Sequence, residues 1–289
     1  MSQTIRVLDS IPAVRAEVSG LKRQGKRIGL VPTMGYLHEA HLSLVTLVKQ
    51  HCDVVLATIF VNPAQFNDPS DLEKYPRDIP RDLRMLESVG THGVFIPTPS
   101  MMYGPAFESW VELSAMPLRH EGQHRPGHFR GVSTVVSMLF NVTQPDVAIF
   151  GEKDFQQLRI LERMVDDLKF PIQVLRGPLV REPDGLAMSS RNVRLDAESR
   201  KKALSISRGL FEARAAFLGG ERRADALRGF VVASLQAEGL SAEYIEVVEE
   251  DTLEPKTTVD QNCRILVAVP VGPVRLIDNI ALRATAVTA

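Results

Sequence analysis

Short runs of consecutive apolar residues alternate with helix-like segments through the first 180 residues of this 289-residue chain. An apolar run without polar alternation suits a strand that is buried on both faces of a parallel sheet. Five such runs occupy residues 27–33, 53–61, 92–97, 146–151 and 172–180. Between them, apolar residues recur at helical spacing in residues 41–50, 80–90, 132–144 and 155–168. This alternation predicts an α/β domain, a Rossmann-like doubly wound parallel sheet.

The pattern changes near residue 180. Two helical patterns, residues 197–218 and 223–239, follow each other, and three strand-like runs come after them, at residues 242–250, 263–272 and 274–282. Helices followed by antiparallel strands predict a second, smaller α+β C-terminal domain. We therefore expect a Rossmann-like domain over residues 1–180 and a smaller α+β domain over residues 181–289.

The composition is that of an ordinary globular protein, with 44% hydrophobic residues, 24% charged residues and a net charge of −1. This balance argues against nucleic acid or a membrane surface as a partner, since both usually require a basic excess. The two cysteines form no CxxC pattern, which indicates a reducing compartment. The N-terminus has no apolar signal-peptide core, and no apolar run is long enough to span a bilayer. We expect a cytoplasmic protein.

The segment "LVPTMGYLHEAHLSLVTLV", residues 30–48, reads as a strand, a turn and a helix that begins near His38. A helix N-terminus presents free N–H groups and a positive dipole end, which suit a phosphate. Gly35 permits close approach of the backbone to a ligand, and the rings of His38 and His41 share one face of the first helical turn. The residues alone leave three interpretations open: phosphate chemistry, a structural histidine pair, or a zinc site that lacks an obvious third ligand.

Amide side chains follow the next predicted strand in "FVNPAQFN". Asn62, Gln65 and Asn67 suit hydrogen bonds to the hydroxyls and carboxylate of a small substrate. Polar residues after a strand are also common as simple turn formers.

Two later segments carry charged or hydroxyl side chains at predicted turns. In "GEKDFQQL", Lys153 suits phosphate oxygens and Asp154 suits ribose hydroxyls, although Asp154 also suits a helix cap. In "MSSRN", two serine hydroxyls and Arg191 suit a polyphosphate, although Ser190 equally suits a cap.

Two further segments have less specific patterns. The proline- and acid-rich residues 66–82 are predicted as a long loop, either an exposed connection or a lid over a site. The basic segment "HRPGHFRG", residues 124–131, suits the lining of an anionic pocket or a simple turn.

The segments "PTMGYLHEAHLSLV", "FVNPAQF", "RPGHFRGV", "GEKDFQQL" and "MSSRN" occur in the order and spacing of one family. The histidine turn with the downstream "MSS" loop resembles the HIGH and KMSKS pair of nucleotidyl-transfer enzymes. Within that superfamily, the five segments together resemble the pantoate–β-alanine ligases. "EYIEVVEEDTLEP" and "RLIDNI" also fit, so that the resemblance covers nearly the whole chain.

The resemblance implies an activity and a set of ligands. Pantoate and ATP form pantoyl adenylate and pyrophosphate, and the amine of β-alanine then attacks the adenylate to give pantothenate and AMP. Family members use Mg²⁺ and are usually homodimers. The resemblance supplies no protein ligand for the metal, and the partners that it implies are small molecules.

The resemblance also implies roles for individual residues. His41 matches the family's proton donor, and we group His38 and Lys153 with it as catalytic. Gln65 and Gln157 match the pantoate-binding glutamines, Gln65 lies in addition at the β-alanine position, and we add Asn62 to the substrate-binding set. The ATP-binding positions are Met34, Gly35, Tyr36, Leu37, His38, Glu39, Ala40, His41, Gly151, Glu152, Lys153, Asp154, Val180, Met188, Ser189, Ser190 and Arg191.

Three positions depart from the family pattern. Ala40 replaces a glycine between the two histidines, Ala64 stands where leucine is frequent, and Met138 stands where lysine is common. Two alternatives stay open: another HIGH-motif nucleotidyltransferase, which would share the histidine pair, and a nucleotide-binding relative whose catalysis is weakened by Ala40 and Met138. A tRNA synthetase is disfavoured because the chain has no basic extension.

Overall fold

Six parallel strands form the central sheet in the computed structural model, which describes residues 4–284. The sheet order is β1-β4-β3-β2-β5-β6, and every neighbouring pair is parallel. The predicted doubly wound α/β fold is confirmed. The strands are β1 (Arg6–Leu8), β2 (Ile28–Thr33), β3 (Val54–Ile59), β4 (Gly93–Phe95), β5 (Val147–Gly151) and β6 (Gln173–Gly177).

Ten α-helices connect and follow these strands within the described residues. Four short 3₁₀ helices, at Pro63–Gln65, Met116–Leu118, Glu152–Asp154 and Ser190–Arg194, lie in the connections. The α-helices are α1 (Ile11–Arg23), α2 (Glu39–Val48), α3 (Pro69–Lys74), α4 (Ile79–Ser88), α5 (Pro99–Met102), α6 (Glu121–His124), α7 (His128–Thr143), α8 (Phe155–Asp167), α9 (Ala197–Leu218) and α10 (Ala224–Gln236).

The chain divides into two compact units, and each unit is made of more than one segment of the sequence. The first unit runs to Leu118 and adds Gly122–Glu152 and Ile160–Pro178. The second unit continues from Leu179, and it also takes in Arg119–Glu121 and Lys153–Arg159. The boundary predicted at residue 180 places these two short segments in the first domain, whereas their contacts place them in the second unit.

The core of the first unit consists of the apolar runs that predicted its strands. Val31, Ala57 and Ile149 come from three neighbouring strands, and each is 0% exposed. Helix α2 packs Val45 and Val48 against this layer. Burying one such valine or isoleucine side chain contributes about 1.5–3 kcal/mol, so the continuous apolar runs stabilise the sheet from both faces.

The second unit has an antiparallel sheet of order β7-β8-β9, with β7 (Tyr244–Glu249), β8 (Cys263–Val271) and β9 (Val274–Ala281). The predicted α+β character of this region is confirmed. Helices α9 and α10 share one core cluster with the sheet, which includes Leu210, Leu227 and Ile265.

The prediction of a continuous loop over residues 66–82 is wrong, because the segment contains α3 and the beginning of α4. Asp68 caps α3 by accepting from the Ser70 N–H at 2.8 Å. Asp78 caps α4 by accepting from the Arg81 N–H at 3.0 Å. Each aspartate is followed by a proline in the first helical turn, and this combination favours a helix start.

A membrane span requires a long apolar helix. Within residues 4–284, none of the helices has both the length and the hydropathy to cross a bilayer.

Candidate active site

The winding of the parallel sheet reverses between β2 and β5. From β2 the chain passes to β3 and β4 on one side, and β5 then pairs with β2 on its other side. Ligands of open α/β sheets bind at such a point, outside the carboxyl ends of the strands. β2 ends directly before Met34, and β5 ends at Gly151. The residues predicted to bind the nucleotide therefore start at the carboxyl ends of β2 and β5, where the winding of the sheet reverses.

The turn after β2 needs glycine at position 35. Gly35 has a φ of 82°, and Tyr36 follows it with a φ of 50°, so both residues lie in the left-handed region. A Cβ on Gly35 would stand 2.9 Å from Ile59 Cγ2 and 3.1 Å from Asp82 Oδ2. The Gly35 N–H donates to Thr33 Oγ1 at 3.1 Å. Neither the conformation nor the space suits a side chain at this position.

Asp82 holds this turn from helix α4. Its carboxylate accepts from the backbone N–H of Tyr36 at 2.7 Å and from that of Leu37 at 2.8 Å. The residue is 0% exposed, and this burial raises the pKa of its carboxyl although the two N–H donors oppose the shift. Arg81 donates to the Leu37 carbonyl at 2.8 Å. Asp82 lies in the segment that was predicted as a loop, and no motif in the sequence marks it as part of the site.

The two histidines lie at the start of α2 as predicted. His38 is the N-cap, and its backbone N–H donates to His41 Nδ1 at 3.3 Å. The two ring centroids are 4.1 Å apart. Since Nδ1 of His41 accepts a hydrogen bond, the proton of its neutral ring is on Nε2, which serves as a donor. Ala40 is in the first helical turn, where alanine is a favourable residue.

Gln65 is joined to the turn after β2. Its Nε2 donates to Met34 Sδ at 3.2 Å, and its Oε1 accepts from Asn62 Nδ2 at 3.0 Å. Asn62 is 1% exposed and accepts from the Tyr103 hydroxyl at 2.7 Å. Burial raises the pKa of Tyr103 to about 12, so its hydroxyl stays a donor. The contacts of Asn62 orient the Gln65 amide.

The basic segment before α7 fixes the backbone of Gln65. His128 Nδ1 lies 2.7 Å from the Gln65 carbonyl, and Arg125 donates to the same oxygen at 3.1 Å. A Cβ on Gly131 would stand 2.3 Å from the Ala64 carbonyl, so the helix approaches this turn as closely as glycine allows. The contact with Gln65 is neither of the two roles predicted for this segment, the lining of an anionic pocket or a simple turn.

A cavity of about 310 Å³ in the first unit lies beside the histidine turn. Met34, Gly35 and Tyr36 line one part of it, and Leu72 and Ile79 line another. Helices α3 and α4 therefore contribute to the same cavity as the turn, as a lid over a site requires.

Glu152 ends the 122–152 segment of the first unit, and the predicted nucleotide residues from Lys153 onward belong to the second unit. Lys153 and Asp154 lie in the 3₁₀ helix after β5, with Nζ 3.8 Å from Oδ1. Gln157 follows in α8 and is partly buried. The neighbouring Gln156 is structural: its Oε1 accepts from the Glu121 N–H at 3.0 Å, and its Nε2 donates to the Arg119 carbonyl at 2.8 Å.

Val180 and Met188 face each other in a tight hairpin. The Met188 N–H donates to the Val180 carbonyl at 3.0 Å. Ser189 then caps the 3₁₀ helix Ser190–Arg194, accepting from the Arg191 N–H at 3.3 Å. These contacts bring the predicted Val180, Met188, Ser189, Ser190 and Arg191 into one compact segment.

The zinc interpretation of the histidine pair finds no support in the side chains. Throughout the part of the chain that the structure describes, no three His, Cys, Asp or Glu residues are grouped so that they could hold a metal ion.

A parallel sheet whose reversal point carries a glycine turn and a helix N-terminus defines a nucleotide-binding class of α/β protein. The family model "Pantoate-beta-alanine ligase" matches residues 6–281. The chain belongs to this family, whose members are ligases that form an amide bond.

Named relatives match the sequence and the structure over nearly the full length of the chain. The pantothenate synthetase of Thermoanaerobacter sp. (strain X514) is 47% identical over 275 residues, which cover 95% of this chain and 97% of the relative. A crystal structure of pantothenate synthetase from Thermus thermophilus matches with a TM-score of 0.92 and 40% identity, covering 97% and 100% of the two chains. A pantoate-beta-alanine ligase from Francisella tularensis, complexed with beta-gamma ATP and beta-alanine, matches with a TM-score of 0.80 and 31% identity over 96% and 98%.

Proposed function

We propose that this chain condenses pantoate with β-alanine in an ATP-dependent reaction that proceeds through pantoyl adenylate. The observation that carries the proposal is the hydrogen-bonded link between Gln65 and Met34, which joins an amide-lined turn to the histidine turn in a member of this family. The Francisella relative binds an ATP compound and β-alanine, which supports the same ligand classes here.

In the first step, a carboxylate oxygen of pantoate forms a bond to the α-phosphorus of ATP, and the bond to pyrophosphate breaks. Two anions meet in this step, so positive groups and hydrogen-bond donors lower its barrier. His41 Nε2 and the N-terminus of α2 supply such donors, with His38 beside them. Lys153 and Arg191 supply positive charge to the phosphates. The proposed catalytic residues are His41, His38 and Lys153. The proposed ATP-binding residues are the segments around these three, together with Val180 and Met188–Arg191.

Gln65 and Gln157 are proposed to orient pantoate. Neutral amides hold hydroxyl and carboxylate oxygens by directed hydrogen bonds. They leave the carboxylate free of an ion pair, so it keeps its nucleophilicity. Asn62, proposed from the sequence as a substrate contact, supports this role by fixing Gln65.

In the second step, the β-alanine nitrogen forms a bond to the acyl carbon, and the carbon–oxygen bond to AMP breaks. The departing AMP takes the electron pair, and the proton of the attacking amine passes to solvent water. No protein nucleophile is needed, because ATP supplies the activation. Closure of residues 66–82 over the cavity would keep water from the acyl adenylate.

Mg²⁺ is proposed to enter as the complex with ATP. Mg²⁺ sites commonly use substrate phosphates and few protein ligands. Bound to the phosphates, the ion would neutralise charge on the pyrophosphate. Residues 1–180 would supply most of the nucleotide and pantoate contacts, and residues 181–289 would supply the MSSR segment.

The proposed function predicts which substrates pyrophosphate release requires. With ATP and Mg²⁺, pantoate alone should permit one turnover of pyrophosphate per active site, and β-alanine should be needed only for continued turnover and AMP release. Quenched-flow measurement of pyrophosphate, with mass spectrometry of the products, tests this. EDTA should abolish the release. Pyrophosphate release that is independent of pantoate, or a nucleotidylated final product, would instead indicate another nucleotidyltransferase.

We further propose a cytoplasmic homodimer, as the family resemblance implies. Cys52 and Cys263 are both free thiols, which agrees with a reducing compartment. Sedimentation equilibrium should give twice the mass of one chain at micromolar concentration, and a single-chain mass over the whole concentration range would contradict the dimer.

A further inference from the structure

Two neighbouring residues of β9, Asp278 and Asn279, contact two separate segments that carry proposed ATP-binding residues. The Asp278 carboxylate accepts from the Arg181 guanidinium at 2.6 and 2.9 Å. Asn279 Nδ2 donates to the Lys153 carbonyl at 2.9 Å. Asp278 is 5% exposed and Asn279 3% exposed. We infer that the two are positioning residues for the nucleotide site, an inference that rests on the proposed function.

Asp278 acts on the hairpin that contains Val180 and Met188. Arg181, which follows Val180, also donates to the Gly185 carbonyl at the tip of the hairpin, at 3.1 Å. The two-bond pairing of Arg181 with Asp278 is charge-assisted, and it fixes orientation as well as distance. Removing one partner of such a buried pair leaves an uncompensated charge. The carboxylate therefore fixes the hairpin to a rigid strand.

Asn279 acts on the turn that contains Lys153. Its Oδ1 accepts from Arg264 Nη1 at 2.5 Å. Since a guanidinium only donates, this contact settles which end of the amide faces Arg264 and leaves Nδ2 for the Lys153 carbonyl. Arg264 is itself held, because it donates to Glu250 at 2.9 Å and lies 3.9 Å from the centre of the Phe155 ring.

The placement on one strand explains how two adjacent residues reach two segments. Successive side chains of a strand leave opposite faces, so Asp278 and Asn279 extend in different directions from a common backbone. The strand thereby fixes the position of the Lys153 backbone relative to the 180–188 hairpin. Misplacing a charge-stabilising group by about 1 Å costs about 10²-fold in rate. Neither residue is assigned a contact with substrate, and both act through other residues.

The test replaces each residue by its near-isosteric partner. Asn279→Asp keeps an acceptor for Arg264 but removes the donor to Lys153, and Asp278→Asn removes one charge of the ion pair. Each variant should raise the KM for ATP and lower the single-turnover rate of pyrophosphate release, by about tenfold, as expected for loss of one strong hydrogen bond. The KM for β-alanine should stay unchanged. Calorimetric titration with β,γ-methylene ATP and Mg²⁺ should show the same weakening without any reaction.

Leu227→Ala is the matched control for lost stability. Leu227 lies in helix α10 in the core cluster of the same unit, outside the hairpin and the Lys153 turn, and its truncation should lower the melting temperature. It should leave both KM values unchanged. The inference is overturned if the two β9 variants bind ATP as the wild type does, or if their kinetics change no more than those of Leu227→Ala. If the wild-type chain forms no pantoyl adenylate, the proposed function is refuted instead. The nucleotide titration is a separate test, because it measures ATP binding whether or not the reaction takes place.

Discussion

His41→Ala is expected to slow formation of pantoyl adenylate by about 10²-fold or more, as found when one preorganised donor is removed from a site of developing negative charge. His41 Nδ1 accepts from the His38 N–H, so the Nε2 proton is the one available to a phosphate oxygen. The loss should appear in the single-turnover rate of pyrophosphate release, with a smaller effect on ATP affinity, because the donor acts mainly in the transition state.

Two substitutions separate the donor of His41 from its role at the helix start. His41→Asn places a side-chain oxygen near the Nδ1 position, so it preserves an acceptor for the His38 N–H but has no donor at the Nε2 position. His41→Gln places an amide donor farther out. If the donor matters, the asparagine variant should be as slow as the alanine variant, and the glutamine variant should recover part of the rate. Full recovery by asparagine alone would reduce His41 to a helix-capping residue.

The fold could be predicted from the sequence because burial on both faces requires continuous apolar runs. Such runs marked β2, β3 and β5 within a few residues of their observed ends. β1 was not predicted, since it has three residues and only Leu8 is buried. The helices in residues 66–82 were missed although Asp68 and Asp78, each with a following proline, are recognisable start signals.

The site was predictable only where its residues are adjacent in sequence. His38 and His41, or Ser189 and Arg191, lie in one turn, and their side-chain types suggest chemistry directly. Residues that hold these turns come from far along the chain: Tyr36 and Asp82 are 46 positions apart, and Lys153 and Asn279 are 126 apart. Such contacts follow from strand order and helix packing, which no local pattern encodes.

Asp82→Ala should produce the largest loss outside the residues proposed to touch ATP. Removing the carboxylate leaves the buried N–H groups of Tyr36 and Leu37 without their acceptor, at a cost of about 1–3 kcal/mol each. The same bonds hold Gly35 and Tyr36 in the left-handed region, so the KM for ATP should rise together with the loss of stability. Urea denaturation and the pyrophosphate assay measure the two effects, and a destabilised variant with an unchanged KM for ATP would separate Asp82 from the site.

The pH dependence of stability gives an independent test of the same carboxyl. Burial raises the pKa of Asp82 above the ordinary value of about 3.9, so the folded chain keeps this proton at a pH where the unfolded chain has released it. The stability linked to this proton is complete below the ordinary pKa and is lost as pH rises through the raised one. The unfolding free energy of the wild type relative to Asp82→Asn should therefore fall across this window and level off above it. Asp78→Asn keeps the cap of α4, since asparagine caps as well as aspartate. Because the charge of Asp78 makes only the smallest contribution to the raised pKa of Asp82, this variant should retain most of the dependence of the wild type. Parallel curves for the wild type and Asp82→Asn would show that the carboxyl titrates alike in both states.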